Sequence, residues 1–474
     1  MAELADVPLR PESDRVYRAA RALIAFVMRI FFRRLEIRGG ENIPATGPLV
    51  LAANHPSGIV DSFSIGLATP RKVHFVARST LFANPLLARL LTRLGVIPIY
   101  RKLDAAAEMG RNADVFRRCY DLLEAGGVIG IFPEGITHVD PQVKEMRTGA
   151  MRIGLGAEAA RDFELGVRVV PVGINQSKPG AGRGDLVLRV GAPIVLSRHA
   201  AAYRTDPVAT AHALTAELRE RIELLVVHLE DVAQAPIVEA VYDVFGAAWV
   251  ADPRVLPEIG DEVTRRIEVK RAIAQAIEYY ARFQPAWALG AERRIRAYRA
   301  ALERLRISDE MLHRDVGALP LLRQTLPVAV VGVLGAPLAG FGWLLNRLPR
   351  LVTRRLSKRL APGAPQLALY EMGIGLPAFA ASYAAAVALL HLYSPLGRTE
   401  LALAVLLFPL IGLLSNRWFA LIRHYGENLR LTSLHLLRRG RLEQLRFARR
   451  LLDQDQAKMR SFLLAQPAAE DASA

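Results

Sequence analysis

Two residues suited to acid–base chemistry, His55 and Asp61, lie on the two sides of a Pro-Ser-Gly turn within residues 54–61. An imidazole beside a carboxylate can act as a general base, because the carboxylate fixes the ring tautomer and stabilises the imidazolium that forms. Positions six apart point in different directions from a regular helix, so the turn must bring the two side chains together. The alternative is an ordinary loop histidine followed by an aspartate that caps the next helix.

An apolar strand precedes this turn and a helix follows it. Residues 48–53 are apolar and uncharged, as in a buried strand, and residues 62–67 begin a helical pattern. Residues 128–137 repeat the arrangement, because a second apolar strand ends there in a Pro/Gly turn that carries Glu134. Strands that deliver polar groups to their C-terminal turns form the rim of an α/β sheet, where ligands bind. We therefore expect both turns at a ligand-binding edge.

Four ordered sequence blocks resemble the glycerolipid acyltransferase family, which comprises glycerol-3-phosphate and 1-acylglycerol-3-phosphate acyltransferases. The blocks are residues 54–61 (NHPSGIVD), 95–101 (GVIPIYR), 132–137 (FPEGIT) and 170–174 (VPVGI), and the resemblance covers residues 35–200. One departure lies in the first block, where five residues separate His55 from Asp61 and the family usually has four. This spacing is similar to that of the subgroup related to fungal glycerol-phosphate acyltransferases.

The resemblance implies roles for residues of these blocks. It implies that His55 takes a proton from the acceptor hydroxyl and that Asp61 orients His55. Arg101, which ends a predicted strand in the second block, would bind the acceptor phosphate. Glu134 would help to bind the glycerol-phosphate acceptor, and Gly135 would let the acceptor approach the backbone closely. By position alone, Glu134 could instead pair with an arginine for structural reasons, and Arg101 could lie on a solvated basic face.

Other residues are weaker candidates for the same site. An anionic head group is bound by guanidinium groups and by backbone amides at helix starts. Arg78, Lys102 and Arg147 lie near the ends of predicted strands or helices, so each binds phosphate or lies on a solvated basic face. Pro171, in the fourth block, shapes the acyl side of the cleft or is a strand-edge proline.

Composition restricts the class of protein. The chain has 474 residues, is 52% hydrophobic and carries a formal net charge of +16, which fits several domains and a membrane part. No stretch interleaves basic and aromatic residues and no zinc-finger spacing occurs, so the charge fits a membrane surface or phosphate better than nucleic acid. The single cysteine, Cys119, excludes an intrachain disulfide, indicates a reducing compartment and lies in a helical pattern typical of a core residue. We expect no metal and no cofactor other than the acyl thioester co-substrate.

Alternating strands and helices predict an α/β fold with a mixed sheet flanked by helices, followed by a helical insert and C-terminal transmembrane helices. The first helix is amphipathic and rich in arginine, so it lies on an anionic phospholipid surface or, alternatively, packs on the core. The N-terminus lacks the basic start and apolar core of a signal peptide. The predicted regions are an N-terminal interfacial amphipathic helix (1–34), the acyltransferase domain (35–230), a polar helical region broken at Pro285 and Gly290 (231–317), a membrane region (318–420), and a basic amphipathic helix with a disordered tail (421–474).

The membrane region contains three apolar segments. Residues 374–392 and 401–419 are predicted to span the bilayer and are joined by a nearly neutral linker. Arginine-rich stretches follow the first and the last apolar segment, so the positive-inside rule places both stretches in the cytosol and the linker outside. The first segment, residues 326–345, is then expected to be re-entrant or kinked at Pro337, or to lie in the membrane interface.

We therefore predict a membrane-bound acyltransferase of phospholipid biosynthesis. It would move a fatty acyl group from acyl-CoA or acyl carrier protein to a hydroxyl of glycerol 3-phosphate or 1-acylglycerol 3-phosphate. We expect it in a membrane, the bacterial inner membrane, with the catalytic domain on the cytoplasmic face. The alternatives are an acyltransferase for another lysolipid or an amino-acid lipid, a catalytically silent membrane scaffold, and a basic nucleic-acid binder. The sequence does not determine the acceptor, the acyl donor or the oligomeric state.

Overall fold

The computed structural model describes most of the chain and divides it into two compact units. The described residues are 14–100, 112–177, 184–257, 261–307, 309, 312, 318–437 and 439–465. The first unit contains the described residues of 14–232 together with 362–369, and the second contains the described residues of 233–361 and 370–465.

The first unit is built on one mixed sheet, which has eight strands among the described residues. The strands are β1 (Arg34–Arg38), β2 (Leu49–Ala53), β3 (Val73–Arg78), β4 (Ile97–Ile99), β5 (Val128–Ile131), β6 (Arg168–Gln176), β7 (Asp185–Val190) and β8 (Ile194–Val195). Their order is β1-β7-β6-β2-β5-β3-β4, with β8 also paired to β6. The sheet is mixed because β6 runs parallel to β2 and antiparallel to β7 and β8.

The two strands that lead into the motif turns lie side by side at the centre of this sheet. Strand β2 runs parallel to β5, with Leu51 opposite Gly130 and Ala52 opposite Ile131. Every residue of both strands is buried. A parallel strand covered on both faces is a continuous apolar run in the sequence, and this is the pattern from which both strands were predicted. Because the strands are parallel and in register, they end at the same edge.

Helices cover the sheet of the first unit. They are α1 (Arg15–Phe31), α2 (Ile59–Ala68), α3 (Pro85–Arg93), α4 (Asn112–Glu124), α5 (Gly149–Ala159), α6 (Ala200–Thr205) and α7 (Pro207–Glu223). Leu122 of α4, Met151 of α5 and Leu218 of α7 belong to one core cluster with residues of β2 and β5. Cys119 is fully buried in the same cluster, which confirms that it is a core residue.

Helices are the only regular secondary structure among the described residues of the second unit. Its helices are α8 (Ala235–Val241), α9 (Ala247–Ala251), α10 (Glu262–Phe283), α11 (Pro285–Leu305), α12 (Ala318–Leu360), α13 (Leu367–Tyr393), α14 (Arg398–Leu437) and α15 (Arg439–Ala465). The predicted interruption of the helix at Pro285 is confirmed, because α10 ends at Phe283 and α11 begins at Pro285. The fixed φ angle of proline favours the first position of a helix. Gly290 lies inside α11, so the predicted break there is wrong. The tail expected to be disordered, 466–474, lies outside the described residues.

Three helices of the described chain are long and apolar enough to cross a membrane: Val330–Leu360, Ala364–Tyr393 and Arg398–Arg423. The first of them continues through Pro337 as part of α12, so the predicted return at this proline is wrong. A proline removes a single N–H donor, and close neighbouring helices can support the chain around it. Here α12 packs tightly on α14, since a Cβ at Gly342 would lie 2.9 Å from the carbonyl oxygen of Ile411.

Candidate active site

Asn54 fixes the point at which the chain leaves β2. Its side-chain Nδ2 donates to the carbonyl oxygen of Ile174 at 3.1 Å, and its Oδ1 accepts from the N–H of Ile174 at 2.7 Å. Ile174 belongs to β6, the parallel neighbour of β2. The Asn54 amide therefore continues the pairing between the two strands for one more residue, and the turn that follows begins at a defined place on the sheet edge.

The turn brings the imidazole of His55 against the carboxylate of Asp61. The distance from His55 Nδ1 to Asp61 Oδ2 is 2.9 Å, and the backbone N–H of Ser57 donates to the same oxygen at 2.7 Å. Gly58 makes the reversal possible with φ 63° and ψ −128°, a conformation that residues with a Cβ rarely adopt. Asp61 lies in the first turn of α2 and accepts from Ser57 and His55, and the N-cap position is Gly58, so the alternative in which Asp61 caps this helix is wrong.

This geometry leaves the pair ready for proton transfer. With Nδ1–H donated to Asp61, the second ring nitrogen, Nε2, keeps its lone pair for an incoming proton. The Asp61 side chain is fully buried, whereas that of His55 is 16% exposed and therefore accessible at the edge. Burial raises the pKa of Asp61 above its ordinary value, although His55 and the Ser57 N–H act in the opposite direction. A buried carboxylate gains from a positive partner, so Asp61 is placed to stabilise the imidazolium that forms when His55 accepts a proton.

The turn that follows β5 contacts the face of the His55 imidazole. The ring of Phe132 stacks on His55 with centroids 3.9 Å apart and planes inclined by 15°. The backbone N–H of His138 donates to the carbonyl oxygen of His55 at 3.3 Å. The two turns predicted to share one sheet edge are thus in direct contact.

Glu134 lies buried in this turn and faces a histidine. Its Oε2 is 2.8 Å from Nε2 of His138, and no ion pair joins it to an arginine among the described residues. Gly135 follows with φ 67°, and a Cβ there would lie 3.2 Å from Nε of Arg147. The exposed Arg147 is anchored by its own N–H, which donates to the carbonyl oxygen of Pro133 at 2.9 Å. The Arg147 guanidinium therefore lies beside Gly135, the residue that follows Glu134 in the chain.

Comparison with known protein families matches one part of this chain. The Acyltransferase family model matches residues 34–175, the part of the chain that carries both turns. These residues are an acyltransferase-family domain. The match stops well before the helices of the second unit.

Named relatives of the acyltransferase domain act on two acceptors. The chain is 26% identical over 159 residues to a chloroplastic 1-acyl-sn-glycerol-3-phosphate acyltransferase of Arabidopsis thaliana, covering 33% of this chain and 40% of that one. It is 30% identical over 162 residues to glycerol-3-phosphate O-acyltransferase 2 of Saccharomyces cerevisiae, covering 34% and 21%. It is 27% identical over 201 residues to 1-acyl-sn-glycerol-3-phosphate acyltransferase of Bacillus subtilis, covering 40% and 90%. The chain thus spans 40% of the chloroplastic relative and 21% of the yeast one.

The remaining predicted residues of the acyltransferase domain are spread more widely. Arg101 and Lys102 lie outside the described residues. Arg78 is exposed at the C-terminal end of β3, which neighbours β5. Pro171 is buried within β6 opposite Ala52, where the other neighbour of β6 changes from β8 to β7. It therefore does not lie on an edge strand, and its predicted place on the acyl side of the cleft stays a prediction.

Sequence reasoning missed two polar residues of the site. One is His138, whose only signal was a titratable side chain four positions after Glu134. The other is Gln176 at the end of β6, whose Oε1 accepts from the Ser57 hydroxyl at 2.6 Å. That contact ties the His55 turn to a strand more than a hundred residues away in the chain, which no local pattern reveals. Among the described residues, no group of three or more His, Cys, Asp or Glu side chains could hold a metal ion.

Proposed function

We propose that this protein is a membrane-associated enzyme that transfers a fatty acyl group from a thioester to a hydroxyl of glycerol 3-phosphate or 1-acylglycerol 3-phosphate. The observation that carries the proposal is the His55–Asp61 pair, 2.9 Å apart at the edge of an acyltransferase domain. Relatives named for both acceptors support this choice of substrates. Acyl-CoA and acyl carrier protein are the two thioester donors that fit.

The reaction follows from the geometry of the pair. Nε2 of His55 takes the proton of the acceptor hydroxyl as its oxygen attacks the thioester carbonyl carbon. Asp61, buried and hydrogen-bonded to Nδ1, stabilises the imidazolium that forms. When the tetrahedral intermediate collapses, the carbon–sulfur bond breaks and the thiolate takes the proton from His55. The ester product and the free thiol leave His55 neutral again.

The acceptor phosphate would bind beside Gly135. Arg147 presents an exposed guanidinium there, and such a group forms paired hydrogen bonds with phosphate oxygens. Glu134, which precedes Gly135 in the chain, can accept a hydrogen bond from a hydroxyl of the acceptor. Arg101, Lys102 and Arg78 remain further candidates for the phosphate, with Arg101 first because of the motif it ends.

Association with the membrane brings the enzyme to its lipid product. Helix α1 exposes Leu23, Phe26 and Ile30 on an arginine-rich helix, which suits an anionic lipid surface. We propose that α13 and α14 cross the bilayer as a hairpin, with the neutral linker outside and the basic stretches inside. This topology corresponds to a bacterial inner membrane with the catalytic domain on the cytoplasmic face.

The proposal is tested with membranes that contain the wild type or His55→Ala. Thioester consumption is measured with glycerol 3-phosphate and with 1-acylglycerol 3-phosphate, offered separately. Loss of general-base catalysis should lower turnover by about a hundred- to ten-thousandfold. Turnover that depends on His55 with one acceptor names the step, whereas equal turnover in both proteins overturns the mechanism. If neither acceptor reacts in the wild type, the acceptor is another lysolipid or an amino-acid lipid, or the protein is a silent scaffold.

Cys119 reports whether each variant is folded. Burial raises the pKa of its thiol to about 12, so it should stay unmodified by a maleimide at pH 8 while the domain is folded. The same thiol should react once the protein is denatured. A variant that is inactive but protects Cys119 has therefore lost chemistry and kept its fold.

A further inference from the structure

A second histidine–carboxylate pair lies next to the His55–Asp61 pair. Nε2 of His138 is 2.8 Å from Oε2 of Glu134, and the Glu134 side chain has no exposed surface. The other ring nitrogen of His138, Nδ1, is buried and has no hydrogen-bond partner among the described residues. Glu134 is thus the polar contact that the His138 imidazole makes in the described part of the chain.

The carboxylate of Glu134 is only half satisfied by this contact. Its Oε1 is also buried and has no hydrogen-bond partner among the described residues. A buried carboxylate is costly unless it is paired, and one N–H donor leaves an oxygen free to accept another hydrogen bond. A hydroxyl group is the kind of donor that this oxygen can take.

The same loop is tied to the general base. The backbone N–H of His138 donates to the carbonyl oxygen of His55, and Phe132, two residues before Glu134, stacks on the His55 ring. Charge also connects the two pairs, because burial raises the pKa of Asp61 and the nearby carboxylate of Glu134 adds a smaller effect in the same direction. The loop that carries Glu134 is therefore in direct contact with the His55 turn.

We propose that His138 is a positioning residue that sets the binding of the acceptor through Glu134. Its Nε2–H holds Oε2, so that Oε1 accepts a hydrogen bond from a hydroxyl of a polyol phosphate whose reacting hydroxyl faces His55. The inference rests on the proposed function and adds to it a residue outside the four motif blocks. It predicts that His138 affects acceptor binding and leaves thioester binding unchanged.

Three substitutions of His138 distinguish the effect of its N–H donor from the effect of the size of its imidazole ring. In His138→Gln, an amide N–H lies at nearly the same distance along the side chain as Nε2 and can still reach Glu134. In His138→Asn, the amide corresponds to Nδ1 and falls short, and in His138→Ala no donor remains. A hydrogen bond to a charged group contributes enough that KM for the acceptor should rise about ten- to a hundredfold in the Asn and Ala variants. The Gln variant should stay near the wild type, and KM for the thioester should be unchanged in all three.

A double variant tests whether His138 acts through Glu134. If it does, adding His138→Ala to Glu134→Gln should cause little further loss, because the partner is already changed. Losses that multiply would overturn the inference, as would a Gln variant as impaired as Ala or an Ala variant equal to the wild type. A purely structural role would raise both KM values together and expose Cys119 to maleimide.

His55→Ala is measured in parallel to separate the two proposals. If wild-type turnover depends on His55 and the His138 variants behave normally, this inference alone fails. If the wild type transfers no acyl group to either acceptor, the proposed function fails and this inference with it.

Discussion

At the scale of single residues, the site depends on a carboxylate that is buried and still needed as an anion. Asp61 has no exposed side-chain surface, and its Oδ1 has no hydrogen-bond partner among the described residues. Burial raises the pKa of Asp61, so ionising this group costs folding stability at pH values above its ordinary value of 3.8. A buried carboxyl group that lowers folding stability when it ionises is typical of a functional site.

Asp61→Asn should lower activity and change how stability depends on pH. The amide removes the negative charge that stabilises imidazolium and can present the wrong hydrogen-bonding atom to Nδ1, so turnover should fall by about a thousandfold or more. A raised pKa contributes stability that is fully present below pH 3.8 and is lost as the pH rises through the folded-state value. The unfolding temperature of the variant, relative to wild type, should therefore increase as the pH is raised from below 4.

Exposure of Cys119 on heating provides the measurement for this domain. Asp121→Asn, on the exposed side of α4, is the matched control and should show no such trend. A stability difference between Asp61→Asn and wild type that is constant with pH would contradict the predicted cost of burying the charge.

At the scale of elements, the site consists of two turns that leave parallel strands at one edge. Both turns contain a glycine with positive φ, Gly58 at 63° and Gly135 at 67°. Gly58 turns the chain so that Asp61 returns to His55, and Gly135 brings the backbone close to Arg147. The turn conformation, more than any single contact, sets the distances in the site.

Gly135→Ala should weaken acceptor binding as well as the fold. The left-handed conformation costs about 1–2 kcal/mol for a residue with a Cβ. The new methyl group would also lie 3.2 Å from Nε of Arg147 and would displace the guanidinium. We expect KM for a phosphate-bearing acceptor to rise about tenfold, measured by steady-state kinetics with each acceptor.

Gly126→Ala is the matched control for this effect. Gly126 has φ 72° and open space where a Cβ would lie, so it incurs the backbone strain without touching the site. Its KM should equal that of the wild type although its unfolding temperature falls. An equal rise in KM for both variants would show that general destabilisation, and not the displaced Arg147, is responsible.

At the scale of the whole molecule, the chain joins an acyltransferase domain to long apolar helices. The model of the family covers residues 34–175, whereas the three helices that could cross a membrane begin at Val330. Helices α13 and α14 are joined by a linker of four residues, 394–397. A link this short suits two helices that cross the bilayer in opposite directions.

Cysteine labelling should reveal the topology of this hairpin. Gly397→Cys lies in the exposed neutral linker, and Arg355→Cys lies on an exposed face of the basic end of α12. In intact cells a membrane-impermeant maleimide should label position 397 at once and position 355 only after the membrane is opened. The native Cys119 is buried, so the protein without an added cysteine should show no labelling. Labelling of both positions from outside would contradict the hairpin.

Local patterns were sufficient for the elements of the domain and for the main pair of the site. Strands β2 and β5 were predicted from apolar runs, because a strand that is buried on both faces has apolar side chains at every position. His55 and Asp61 were identified from a turn that lies within eight residues, and from the order of four short blocks along the chain. The break at Pro285 was local as well, since proline alone begins the helix there.

Tertiary structure decided what depends on partners distant in the chain. Pro337 favours a turn by itself, yet α12 continues through it while packed on α14. The contact of Ser57 with Gln176 and the approach of Arg147 to Gly135 each need the finished sheet edge. His138 lies four positions from Glu134, but only the burial of that carboxylate makes the histidine its partner. The sequence by itself determined the central strands and the motif turns, because these depend on neighbouring residues. The pairing of charges within the site depends on burial and distance, which exist only once the chain has folded.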